Sequence, residues 1–66
     1  MQIILNGESY EIEPETTVEQ LVERLNLGGK RLAIEVNREI VTRSAYAETR
    51  LDEGARVEIV HAIGGG

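Results

Sequence analysis

The sequence predicts an α+β fold, with one main helix packed on one face of a mixed four- to five-stranded sheet. Three observations predict it: a hairpin signal around Asn6-Gly7, a single amphipathic helical segment opening after Pro14, and a long apolar strand candidate over 56–63. The 66 residues are 41% hydrophobic, enough for a single thin core and too few for two domains. A chain of this size buries only about 60% of its unfolded surface, so little stability is left to hold a strained, multi-residue active site.

Met1-Gln2-Ile3-Ile4-Leu5 and Ser9-Tyr10-Glu11-Ile12-Glu13 are β-prone runs on either side of Asn6-Gly7, a dipeptide that accepts positive φ at both positions. With a side-chain period of two, Met1, Ile3 and Leu5 share one face of the first strand, and Tyr10 and Ile12 share one face of the second. Pro14 ends the hairpin. In Thr16-Thr17-Val18-Glu19, a threonine cap at Thr16 with Glu19 three residues later forms a capping box. Val18, Leu21, Val22 and Leu25 then fall at i, i+3, i+4 and i+7, an apolar stripe that a helix lays on a sheet, with Glu19, Gln20, Glu23 and Arg24 facing away. Asn26-Leu27-Gly28-Gly29 closes the helix, a glycine taking the left-handed residue and Leu27 the accompanying apolar contact.

Leu32-Ala33-Ile34-Glu35-Val36 alternates again, and Asn37-Arg38-Glu39 turns the chain into the short strand Ile40-Val41. The stretch 42–47 has room for a single helical turn anchored by Tyr46. Leu51 and the turn Asp52-Glu53-Gly54 lead to the final strand. A right-handed crossover through the helix carries the chain past the opening hairpin, which places the first and last strands at the centre of the sheet. This arrangement is the β-grasp, the ubiquitin-like fold, expected over residues 1–63.

Composition removes several function classes. With no cysteine there is no disulfide, thiolate nucleophile or soft metal site, and the lone His61 cannot build a zinc site, so no metal is expected. A formal charge of −5 repels phosphate backbones and anionic lipid, and the basic residues from Arg24 to Arg56 form no run and have no aromatic interleaving. No nucleic acid and no membrane is expected as a partner. No apolar run approaches the roughly 18 residues of a membrane span and no basic-then-apolar leader opens the chain, so a soluble cytoplasmic protein, monomeric when free, is expected. Protein partners remain, preferably with a basic face. His61 reads as a strand residue, and Asp52, Glu53, Glu35 and Glu39 as solvated surface.

Gly64, Gly65 and Gly66 follow the last strand directly. The expectation is a flexible tail reaching roughly 10 Å at about 3.3–3.6 Å per residue, slim enough to thread a partner's channel and present the Gly66 carboxylate there. If Val57 and Ile59 face the core with Ile3 and Leu5, then Ile4, Val60 and Ala62 turn outward, side by side on adjacent strands. Together with Ile63 they form the expected partner-binding surface.

Asn6-Gly7, Thr17-Val18-x-x-Leu21, Val36-Asn37-Arg38-Glu39-Ile40-Val41 with Arg43 and Tyr46, and Asp52, Gly54 and Val57-Glu58-Ile59-Val60 leading into Ile63-Gly64-Gly65-Gly66 together resemble the ThiS family, the sulfur carriers of thiamine biosynthesis, over essentially the whole chain. Tyr46 stands where members often carry tryptophan and Thr42 where proline is usual. The resemblance implies a protein cosubstrate with no catalytic residues and no bound cofactor. Its Gly66 carboxylate is adenylated by a ThiF-type adenylyltransferase that uses ATP and magnesium. Sulfur from a cysteine desulfurase then converts it to a thiocarboxylate, and thiazole synthase, ThiG, receives the sulfur. Three other readings share the fold: the small, MoaD-like subunit of molybdopterin synthase, a ubiquitin-like protein modifier, and an inert module. Lys30 is the only lysine, which leaves little provision for chains built on the protein itself.

Overall fold

The computed structural model describes residues 1–61. The first strand, β1 (Gln2–Leu5), pairs antiparallel with β2 (Glu8–Glu11) through a two-residue turn. Asn6 and Gly7 have φ of 49° and 85°, the positive pair that a hairpin turn matching the strand twist requires. Ile3 and Ile12 are buried, with Met1, Leu5 and Tyr10 packed against the core beside them.

The helix α1 (Val18–Arg24) buries Val18, Leu21 and Val22. Its cap lies one residue later than the sequence suggests. Thr17 Oγ1 accepts from the Gln20 amide at 3.2 Å, and Gln20 Oε1 accepts from the Thr17 amide at 3.0 Å, so the box is Thr17 with Gln20 and not Thr16 with Glu19. Thr16 is unavailable because it is buried and bonded elsewhere: its hydroxyl donates to the Glu13 carbonyl at 2.6 Å, and its own carbonyl accepts from the Leu51 amide at 2.9 Å. The helix exit differs as well. Asn26, not a glycine, takes the left-handed position at φ 60°. The Leu27 amide bonds to the Val22 carbonyl and the Asn26 amide to the Glu23 carbonyl, each at 3.0 Å, the paired bonds that close a helix through a left-handed residue. Leu27 packs against the core as expected.

After α1 come β3 (Leu32–Val36), β4 (Glu39–Val41), a 3₁₀ helix over Arg43–Glu48 that buries Tyr46, and β5 (Arg56–His61). The β3–β4 turn is two residues long, not three. Asn37 and Arg38 both have positive φ, 51° and 72°, which returns Glu39 to the strand opposite Val36. The sheet order is β2-β1-β5-β3-β4, with β1 and β5 parallel and the other neighbours antiparallel. The fold is therefore a five-stranded β-grasp with β5 at its centre and β1 beside it. Ile34 from β3 and Val57 from β5 meet Val18, Leu21, Tyr46 and Leu51 in one core. Among the described residues no helix is long and apolar enough to cross a membrane.

Candidate functional site

Whatever the residues beyond 61 do, β5 delivers them, so its anchoring decides where they start. On one side β3 runs beside β5 from Val36 opposite Val57 to Leu32 opposite His61. On the other side the parallel ladder with β1 is short, matching only Ile4 with Arg56 and Leu5 with Val57. A side chain extends it. The Asn6 amide donates to the Val57 carbonyl at 2.8 Å, and the Asn6 carboxamide then takes both polar groups of Ile59, accepting from its amide at 2.9 Å and donating to its carbonyl at 3.3 Å. Asn37 does the same at the start of β5, where its side-chain oxygen accepts from the Arg56 amide at 2.9 Å and its own amide donates to the Arg56 carbonyl at 2.7 Å. Two turn asparagines thus clasp the central strand, Asn37 at Arg56 where it begins and Asn6 at Ile59 in its interior. Reading Asn6-Gly7 as a turn signal alone misses this second task. The cue was present, since asparagine combines tolerance of positive φ with a carboxamide able to copy a peptide group.

Of the residues expected to form a partner surface, Ile4 and Val60 lie on the outer face of the sheet, in a different arrangement. Val60 is 65% exposed, as alternation with buried Val57 and Ile59 requires. Ile4, however, is half-buried and sits opposite Arg56, four residues before Val60 along β5. At about 3.3 Å per residue that is about 13 Å, so Ile4 and Val60 share a face without touching side by side. The physical reason is register. Alternation tells which face a side chain takes, whereas the parallel offset of β1 against β5 comes from the crossover and is not written in either strand. The cross-strand neighbour of Val60 is exposed Ala33 on β3. Diagonal to Ala33 lies Ile40 on β4, opposite Glu35 and 73% exposed. Ala33 is outward by the alternation of its own strand, whereas the pairing of Ile40 beside it depends on the β3–β4 turn being two residues long. Glu35 and Glu58 face each other beside this patch, both exposed. Ala62 and Ile63, and the tail Gly64, Gly65 and Gly66, lie outside the described residues.

His61 is exposed opposite Leu32, and among the described residues no three histidine, aspartate or glutamate side chains converge as a metal site. The perturbed acid–base pair of the domain lies elsewhere, where the Met1 ammonium donates to Glu11 at 3.0 Å. That hydrogen bond raises the ammonium pKa, and the same bond with help from Gln2 holds the Glu11 carboxyl below its ordinary value.

A ThiS family model matches residues 3–66. The chain belongs to the ThiS family. Over 63 residues it is 35% identical to the sulfur carrier protein ThiS of Bacillus subtilis, covering 94% of this chain and 96% of that protein. The crystal structure of the thiamine biosynthesis protein ThiS from Geobacter metallireducens superposes with a TM-score of 0.84 at 26% identity, covering 100% of both chains. A thiazole synthase of Paramagnetospirillum magneticum is 39% identical over 66 residues, which are 100% of this chain and 20% of that relative, so the chain spans a fifth of its length. In this ThiS-family chain the described domain supplies a clasped central strand and an exposed aliphatic patch.

Proposed function

We propose that this protein is a sulfur carrier for thiazole formation, in which residues 1–63 act as the handle and Gly64, Gly65 and Gly66 enter partner active sites. A carboxylate is a resonance-stabilised anion and a poor electrophile. Attack of the Gly66 carboxylate on ATP in a ThiF-type enzyme, with magnesium, releases pyrophosphate and leaves an acyl-adenylate with AMP as a good leaving group. The terminal sulfur of a persulfide made by a cysteine desulfurase displaces AMP, a thiol then reduces the acyl disulfide so formed and is itself oxidised to a disulfide, and the thiocarboxylate left on Gly66 is consumed by a ThiG-type thiazole synthase.

The observation that carries this reading is the family match, which runs through residue 66 and so takes in the glycine triplet. Two facts support it further. The triplet follows a strand clasped by Asn6, and the whole chain has a counterpart within a protein named thiazole synthase. The test is ATP–pyrophosphate exchange by a ThiF-type enzyme with this chain as the carboxylate substrate. Exchange that depends on the chain and disappears when Gly65 and Gly66 are deleted is the expected result; exchange that survives the deletion refutes the assignment of Gly66.

A further inference from the structure

The basic residues look scattered in sequence, but the fold gathers three of them at one place. Arg43, at the start of the 3₁₀ helix, donates from Nη2 to the Lys30 carbonyl at 3.3 Å. Arg43 and Lys30 line a groove of about 250 Å³ together with Leu27, Leu32 and Tyr46. On its other side Arg43 shares with Arg31 a groove along β3 and β4 that reaches exposed Ile40. Leu32, the next residue after Arg31, pairs with His61, so this group sits at the end of β5 from which residue 62 follows.

All three cations are exposed, and among the described residues the one ion pair is Met1 with Glu11, so none of the three is neutralised there. Glu19 and Glu23 face the first groove from α1, while no carboxylate lines the second. Removing these three charges from the total of −5 leaves −8 on the rest of the chain. Three unpaired cations held together repel one another, and they give the outgoing end of an acidic protein the opposite sign to its remainder.

We propose that Lys30, Arg31 and Arg43 form a docking rim for a protein partner that carries carboxylates around the opening its active site offers to the C-terminal glycines. The rim is continuous with Ile40, so the partner meets an aliphatic anchor edged by cations. Overall charge favours a basic partner; the local sorting reverses that preference at the end where transfer occurs. This inference rests on the carrier function proposed above.

The test uses the double variant Arg31→Glu with Arg43→Glu, the milder Arg43→Gln, and Arg50→Glu as a control in the segment that bridges to Thr17 at the opposite end of α1. Circular dichroism and thermal melting establish that each is folded. Direct binding to the ThiF-type enzyme and KM and kcat for pyrophosphate exchange are measured between about 0.05 and 0.5 M salt, a range that shortens electrostatic reach severalfold. The rim predicts a dissociation constant and KM raised about tenfold or more for the double variant at low salt, kcat within about twofold, a flattened salt dependence, and little change for the control. A folded double variant with unchanged affinity and salt dependence overturns the rim and leaves the carrier function standing. Affinity improved by charge reversal overturns it too, showing a basic partner. Wild-type protein that neither binds nor supports exchange overturns both.

Discussion

Replacing Asn6 tests whether the side-chain clasp holds β5, and its cost can be worked from the two bonds to Ile59. Each neutral hydrogen bond contributes about 0.5–1.5 kcal/mol net, so losing both costs about 1–3 kcal/mol. Asn6 also sits at φ 49°, a conformation that alanine adopts at roughly 1 kcal/mol or more. Asn6→Ala should therefore lose about 2–4 kcal/mol, and Asn6→Gly, which relieves the backbone cost but not the lost bonds, about 1–3 kcal/mol. A domain of 66 residues has about 3–10 kcal/mol in all. With a urea slope near 1 kcal/mol/M, the alanine variant should unfold at a midpoint lower by about 2 M or more. The glycine variant should fall between it and the parent, and the Ile59 amide should lose exchange protection in both. Stabilities within about 0.5 kcal/mol of the parent, with Ile59 still protected, would refute the clasp.

Thr17→Ala should cost about 1 kcal/mol in urea unfolding through loss of the helix cap, while Glu19→Gln, outside the box, should change stability by less than about 0.5 kcal/mol; the reverse order would restore the cap to Thr16. Val60→Asp and Ile40→Asp should each leave the melting temperature nearly unchanged, because both side chains are solvent-facing, and weaken binding to the activating enzyme; unchanged binding by both removes the aliphatic patch from the interface. The Met1–Glu11 pair sets a pH window. The Glu11 carboxyl is held low when folded, so its contribution is present above the ordinary glutamate value of about 4.3 and is lost as pH falls through the lowered folded pKa. The ammonium is held high, so its contribution is full below its unfolded value of about 8 and is lost as pH rises through the raised folded pKa. Glu11→Gln should flatten the stability profile at both ends, and an unaltered profile would show that the pair contributes nothing.

Local signals carried the elements of this fold. Asn6-Gly7 marks the first hairpin because few residues accept two positive φ values in succession, and the stripe Val18, Leu21, Val22 and Leu25 marks the helix because only a 3.6-residue period brings those side chains to one face. What failed were choices between near-equal local candidates that distant residues decide. Thr16 and Thr17 are equivalent as caps until Leu51 takes the Thr16 carbonyl. Asn26 and Gly28 both suit a left-handed exit until Val22 and Glu23 supply carbonyls for Leu27 and Asn26. The turn Asn37-Arg38 carries no glycine, and Arg56 compensates by bonding Asn37 twice. At the candidate site, alternation identified Val60 as outward, but the register that separates it from Ile4 and joins it to Ala33 is a property of strand pairs. The same applies to the cations, which become neighbours only when the 3₁₀ helix folds back on the loop before β3.

The central claim concerns the last atom group of the chain, and intact-mass spectrometry of the protein isolated from its native cells reads it most directly. A fraction heavier by the exchange of one oxygen for sulfur, mapped to Gly66 and lost when the cysteine desulfurase is removed, is the predicted result. A single unmodified mass in cells actively making thiamine, unchanged with or without the desulfurase, would contradict the account.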